Sequence, residues 1–195
     1  MSIDAKLVAE LRAQTGAGMM DAKKALEETG GNIEQAIDIL RKSGVAKAAK
    51  KSSRETNEGL VYAYIHSNGK IGVLLTILSE TDFVAKNELF VSLCHDVAMH
   101  VCAMDPLYLK REDVPAELVE KEREIYIEEM KAQMKPEEIA TKIVEGKLNK
   151  WYSEVVLLDQ PYIKDDSKTI QDLLTEKIAS LGENIQIKEF CRFKI

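Results

Sequence analysis

Proline and glycine are sparse in this 195-residue chain, at 4 and 10 copies, which excludes collagen-like and low-complexity architectures. Cysteine is sparser still. Cys94, Cys102 and Cys191 are an odd number with no CxxC pair, which excludes a disulfide scaffold and fits free thiols in a reducing cytoplasm. No apolar run approaches the ~18–20 residues of a membrane span. The opening Met1-Ser2-Ile3-Asp4-Ala5-Lys6 has no basic stretch leading into an apolar one, so neither a membrane anchor nor a secretory signal is expected, and a cytoplasmic location is. Catalytic signatures are missing as well. His66, His95 and His100 are the only histidines; His95 and His100, five apart, point to different helix faces, and Cys94 with Cys102 lacks metal-ligand spacing, so no metal site is expected. There is no G-x-S-x-G, Walker lysine loop or G-x-G-x-x-G. Gly16-Ala17-Gly18 has no preceding strand to make it a phosphate cradle. The expectation is a chain that is not an enzyme and carries no cofactor.

What is present is an ordinary globular composition, 45% hydrophobic and 31% charged, long enough for one domain or two small ones. The net charge of −6 conceals an asymmetry. Residues 1–54 carry ten Lys/Arg against seven Asp/Glu, and residues 55–195 carry seventeen against twenty-six. An acidic total argues against a protein devoted to nucleic-acid phosphates.

The first 42 residues read as three short helices. Ser2 caps the first, with Ile3, Leu7, Val8 and Leu11 on one stripe, and Thr15-Gly16-Ala17-Gly18 breaks it. The second runs from about Met20 to Thr29, turns Ala22, Ala25 and Leu26 inward and stops at Gly30-Gly31. Asn32 and Gln35 form a capping box for the third, which buries Ile33, Ala36, Ile37 and Leu40 and ends at Ser43-Gly44. Between Arg41 and Arg54 lie six basic residues and no acidic one. This segment is either a solvated helical linker or a phosphate-contacting patch, and no aromatic residue lies among the charges to stack a base.

The remainder reads as α+β. Leu60–His66 and Ile71–Leu78 are β runs joined by Ser67-Asn68-Gly69-Lys70, a hairpin signal. A helix over Glu88–Met104 aligns Phe90, Leu93, Cys94, Val97, Ala98 and Val101. Pro115 and Pro136 open two helical stretches covering about 115–150, with Leu118, Ile125, Met130, Ile139, Ile143 and Leu148 as their seam. Residues 112–138 hold ten acids and four bases, as expected of a thin charged helical hairpin. A helix capped by Thr169 and a final strand follow. Along that strand Ile185, Ile187, Cys191, Phe193 and Ile195 share one face. Cys191 is there either a core residue or, on an edge strand, a dimer contact near a two-fold axis.

Packing does not explain Glu80-Thr81-Asp82-Phe83-Val84-Ala85-Lys86-Asn87, which sets an acid beside a phenyl ring in a connection. Asp82 is either an N-cap beside a core phenylalanine, or the segment protrudes so that Phe83 enters a partner. Met19-Met20 raises the same choice between core filler and an adaptable contact surface.

Four stretches in chain order resemble the elongation factor Ts family: Leu11-Arg12 with Thr15-Gly16-Ala17-Gly18-Met19-Met20-Asp21, Leu40-Arg41-Lys42-Ser43-Gly44, Thr81-Asp82-Phe83-Val84-Ala85-Lys86-Asn87, and Asp159-Gln160-Pro161-Tyr162. The resemblance implies guanine-nucleotide exchange on elongation factor Tu in translation elongation. It implies a three-helix ubiquitin-associated-like domain with its basic linker over residues 1–55, docking through Arg12, Met19 and Met20. It further implies an antiparallel sheet packed by helices over residues 56–195, with a coiled-coil-like hairpin insertion at about 115–150. The loop of Thr81, Asp82, Phe83 and Val84 then invades the partner near its magnesium ion and phosphates. Longer members carry a duplicated core; this length holds one copy, so a homodimer is expected. The basic head then matches an acidic patch on a protein, with no direct nucleic-acid or membrane contact. The competing classes are an unrelated helical binding module, a nucleic-acid protein using residues 41–54, and an enzyme with a dispersed site.

Overall fold

The computed structural model describes residues 3–134 and 136–195. Three helices open the chain: α1 (Ala5–Thr15), α2 (Met19–Glu28) and α3 (Ile33–Lys51). Ser2, expected to cap α1, lies outside the described residues; the side chain of Asp4 caps α1 by accepting from Lys6 N–H. Gly16 ends α1 with φ 65°, a left-handed conformation that glycine adopts without a Cβ penalty. Leu11, Ala22, Ala25, Leu26 and Ala36 close a small core, with Ile3, Leu7, Val8, Ile33, Ile37 and Leu40 packed on it. Of the capping box at the start of α3, only the half in which Gln35 N–H donates to Asn32 Oδ1 is formed, at 3.0 Å.

Ser43-Gly44 does not end α3. The helix continues to Lys51 and lies against α8 (Ile170–Leu181), with Gly44 and Ala48 buried. A Cβ on Gly44 would stand 3.5 Å from that of Ala179, so the glycine marks a close helix crossing rather than a stop. The basic segment is therefore not a free linker. Lys47 pairs with Asp21 at 2.7 Å, Arg41 with Asp172 at 3.6 Å and Arg54 with Glu80 at 3.3 Å, and Lys51 donates to the Gly182 carbonyl.

The sheet is antiparallel in the order β1-β2-β5, from β1 (Glu58–Ile65), β2 (Ile71–Ser79) and β5 (Ile185–Lys194). Its inner face, including Val73, Leu75, Ile77, Ile185 and Ile187, packs on α5 (Glu88–Met104) and α8. All six residues of the expected α5 stripe are buried. Thr169 and Asp172 form a reciprocal capping box at the start of α8. The short strands β3 (Pro161–Tyr162) and β4 (Asp165–Thr169) pair before it.

Two apolar patterns differ from expectation. The alternation in β5 is interrupted because Thr76 opposes Glu189 while Ile77 opposes Ile187, which leaves Lys188 as an extra bulged residue. Beyond the bulge the faces exchange. Phe190 packs on the core, and Cys191, Phe193 and Ile195 are exposed on the outer face. In α6 (Ala116–Ala132) and α7 (Glu137–Val155), which pack together, the buried set is Met130, Val144 and Leu148, with Tyr126, Ala140 and Ile143 against it. Leu118, Ile125 and Ile139 are exposed, and Pro115 and Pro136 are N-cap residues rather than first helical residues.

Candidate functional site

β2 ends at Ser79, and the chain then forms the single-turn helix α4 (Asp82–Ala85) before α5 begins. Thr81, not Asp82, is the N-cap of α4: its Oγ1 accepts from Val84 N–H at 3.4 Å. Ala85 is buried and Val84 packs half-buried on the main core, so the back of the turn is anchored. The front is not. Phe83 is 84% exposed, and the core phenylalanine of this region is Phe90. An apolar ring of that size in water forgoes about 1.5–3 kcal/mol of burial, so Phe83 is not core filler and its ring stands in solvent.

Beside Phe83, the Asp82 carboxylate accepts from Lys86 Nζ at 2.6 Å, one turn along. That hydrogen bond and charge hold the Asp82 carboxyl below, and the Lys86 ammonium above, their usual ranges. Both side chains are exposed, so the pair is one that water or an incoming polar group can exchange at little cost. The turn is fastened from behind by Glu183, which follows α8: Thr81 N–H donates to Glu183 Oε2 at 3.0 Å and Thr81 Oγ1 to Glu183 Oε1 at 2.7 Å. Sequence reasoning missed Glu183, whose partner lies 102 residues away with no local signal.

The other expected positions fall on α1 and α2. Met19 and Met20 open α2 and are 60% and 64% exposed, so they are surface methionines and not core filler. Arg12, on the last turn of α1, donates from Nε to the Ala17 carbonyl at 3.2 Å and stiffens the loop leading to them. Cys191 is exposed on β5 opposite Leu74. Cys94 is sealed in the core, where burial pushes its thiol up to about 12. Among the described residues no group of three or more His, Cys, Asp or Glu side chains is arranged to hold a metal ion, and no helix is long and apolar enough to cross a membrane.

A sequence profile of the family described as "Elongation factor TS" matches residues 4–195. The chain belongs to the elongation factor Ts family. Its relatives include the elongation factor Ts of Thermosipho melanesiensis, 55% identical over 99% of this chain and 98% of the relative. That of Maridesulfovibrio salexigens is 56% identical over 100% of this chain and 95% of the relative. That of Geotalea uraniireducens is 54% identical over 100% and 90%. Membership in the family implies nucleotide exchange in translation elongation, an activity that makes and breaks no covalent bond.

Proposed function

We propose that this chain is a guanine-nucleotide exchange factor for elongation factor Tu, and that it acts by inserting the Asp82–Phe83 turn beside the partner's magnesium ion and nucleotide phosphates. The observation that carries the reading is the exposed Phe83 on an anchored single-turn helix. A GTPase holds its nucleotide through backbone amides around the phosphates and through magnesium. A factor that binds the empty GTPase better than the loaded one weakens the nucleotide by reciprocity and needs no reacting group of its own.

Energetics require several contacts. Speeding release about a thousandfold takes about 4 kcal/mol off the barrier, and burying one phenylalanine gives about 1.5–3 kcal/mol. Phe83 is the wedge, with Thr81 and Val84 flanking it. Asp82, freed from Lys86, acts on the polar surroundings of the magnesium. Arg12, Met19 and Met20 form the docking face of a ubiquitin-associated-like unit of residues 1–55. Residues 56–195 form the second unit, with the hairpin near 115–150 as a coiled-coil-like insertion. A second copy of this chain is proposed to cover the outer sheet face around Cys191.

Release of labelled GDP from elongation factor Tu tests the wedge. Phe83→Ala is expected to slow factor-stimulated release by about tenfold or more, given the burial it forfeits, with melting unchanged because the ring touches no core. Release at the wild-type rate sinks the wedge.

A further inference from the structure

Two chain corners meet behind the Asp82–Phe83 turn, and each satisfies the other's backbone. The first is Glu80-Thr81 at the end of β2; the second is Glu183-Asn184 between α8 and β5. Glu80 Oε1 accepts from Asn184 N–H at 2.6 Å, and Glu183 Oε2 accepts from Thr81 N–H at 3.0 Å. Asn184, 2% exposed, donates its amide to the carbonyls of Ser52 and Arg54, at 3.4 and 2.8 Å, so its corner is fixed to the end of α3.

Of the two carboxylates, only Glu183 also takes a hydroxyl. A threonine hydroxyl has one hydrogen and two lone pairs. With its hydrogen committed to Glu183 Oε1 at 2.7 Å, Thr81 Oγ1 turns a lone pair to Val84 N–H and caps α4. The cap of α4, which carries Phe83, is thus linked to one side chain 102 positions away.

We infer that Glu183 is the positioning residue of the Asp82–Phe83 turn: its carboxylate orients the Thr81 hydroxyl, which caps α4 and aims Phe83. This rests on the reading of that turn as the exchange element. The neutral amide of Glu183→Gln keeps one acceptor oxygen for two donors, so the cap is held only part of the time. The fraction of molecules with a correctly aimed ring then falls, and the productive rate falls with it.

The test is a titration of GDP-loaded elongation factor Tu with the full-length protein and its variants. Glu183→Gln is expected to lower the saturating release rate about tenfold, as losing a charge-assisted hydrogen bond implies, while the half-effective concentration moves little. Thr81→Val is expected to cost less in the Glu183→Gln background than it does alone, because both variants weaken the same cap. Hydrogen exchange of the free protein supplies a readout independent of the partner and of melting: the Val84 amide loses protection while those of α5 keep theirs. Glu80→Gln, which loosens the same junction without touching the Thr81 hydroxyl, separates aim from stability. It is expected to lower melting as much as Glu183→Gln does and to leave release much faster. Equal release from Glu80→Gln and Glu183→Gln overturns the inference, as does unchanged Val84 protection. Slowed release with Phe83→Ala but wild-type release with Glu183→Gln overturns this inference alone; unchanged release with Phe83→Ala overturns it together with the reading of the turn.

Discussion

His100 shows how a single residue ties stability to pH. It is fully buried on α5, with Nε2 2.9 Å from Gln160 Oε1 and Nδ1 accepting from Ile163 N–H at 3.2 Å. The Gln160 amide in turn donates to the carbonyls of Met104 and Glu154, at 3.4 and 2.9 Å. That chain of donors assigns the neutral tautomer with its proton on Nε2, since Nδ1 faces a donor. Charging the ring would aim a second N–H at the Ile163 amide. Burial pushes the imidazole below its ordinary value, and the hydrogen bond to Gln160 opposes the shift only in part. The unfolded chain therefore takes up the proton first, near pH 6.5. The stability contributed by neutral His100 is fully present above that pH and is lost as pH falls below it. Urea midpoints at about pH 7.5 and about pH 5.5 check this: the wild-type drop is expected to exceed that of His100→Gln, which has no proton to gain. Equal drops refute it.

At the scale of elements, what was legible in the sequence divides by cause. The α5 stripe, the β1–β2 turn and the Thr169 cap are local patterns, and each stands where the spacing predicts. The end of α3 and the outer half of β5 were not legible, because tertiary contacts decide both. Gly44 reads as a helix stop on propensity, yet it lies where α3 crosses α8. The bulge at Lys188 inserts one residue, and a period of two has no means of registering it. For the candidate site, the sequence distinguished the Asp82–Phe83 turn by composition but left two readings open. Exposure of Phe83 removed the core-phenylalanine reading, and Glu183 came only from long-range hydrogen bonds. The α3–α8 crossing yields a prediction whose sign depends on size. A methyl group at Gly44 would meet Ala179 at ordinary contact distance, 3.5 Å. Gly44→Ala is therefore expected to stabilise by up to about 1 kcal/mol through helix propensity. Gly44→Leu, which has no room against α8, is expected to destabilise by about 1–3 kcal/mol. Urea denaturation of the pair checks both signs, and a destabilised Gly44→Ala would show the crossing to be tighter than described.

For the whole molecule, charge and apolar surface occupy different places. Residues 112–138 carry ten acids against four bases, an excess equal to the net charge of −6, and they lie chiefly on α6 and the start of α7. The outer sheet face is the opposite. Pairing across β1, β2 and β5 sets Ile65, Gly72 and Phe193 in one row and Ala63, Leu74 and Cys191 in the next. Val61, Ile65, Leu74 and Phe193 are all exposed there, and Ile195 lies just beyond. A contiguous apolar face on a sheet is costly in water and favours association. The partner proposed for it is a second copy of this chain, because a two-fold axis brings the same rows together, apolar against apolar. With the acid concentrated on α6 and α7, the rows of Ile65 and Leu74 can meet without opposing charges, the one carboxylate nearby being Glu189 in the row of Val61 and Thr76, so the association should depend weakly on salt. Phe193→Asp places a carboxylate on each side of such an interface and leaves the core untouched, since the ring already faces outward. Light scattering at micromolar concentration is expected to give a dimer for the wild type and a monomer for Phe193→Asp. Under reducing conditions Cys191→Ser should stay dimeric, because apolar area and not a covalent bond would hold the copies together. A wild-type monomer, or a Phe193→Asp dimer, removes the second copy from this face. So does a dimer that dissociates sharply as salt is added, since its contacts would then be charged ones made elsewhere.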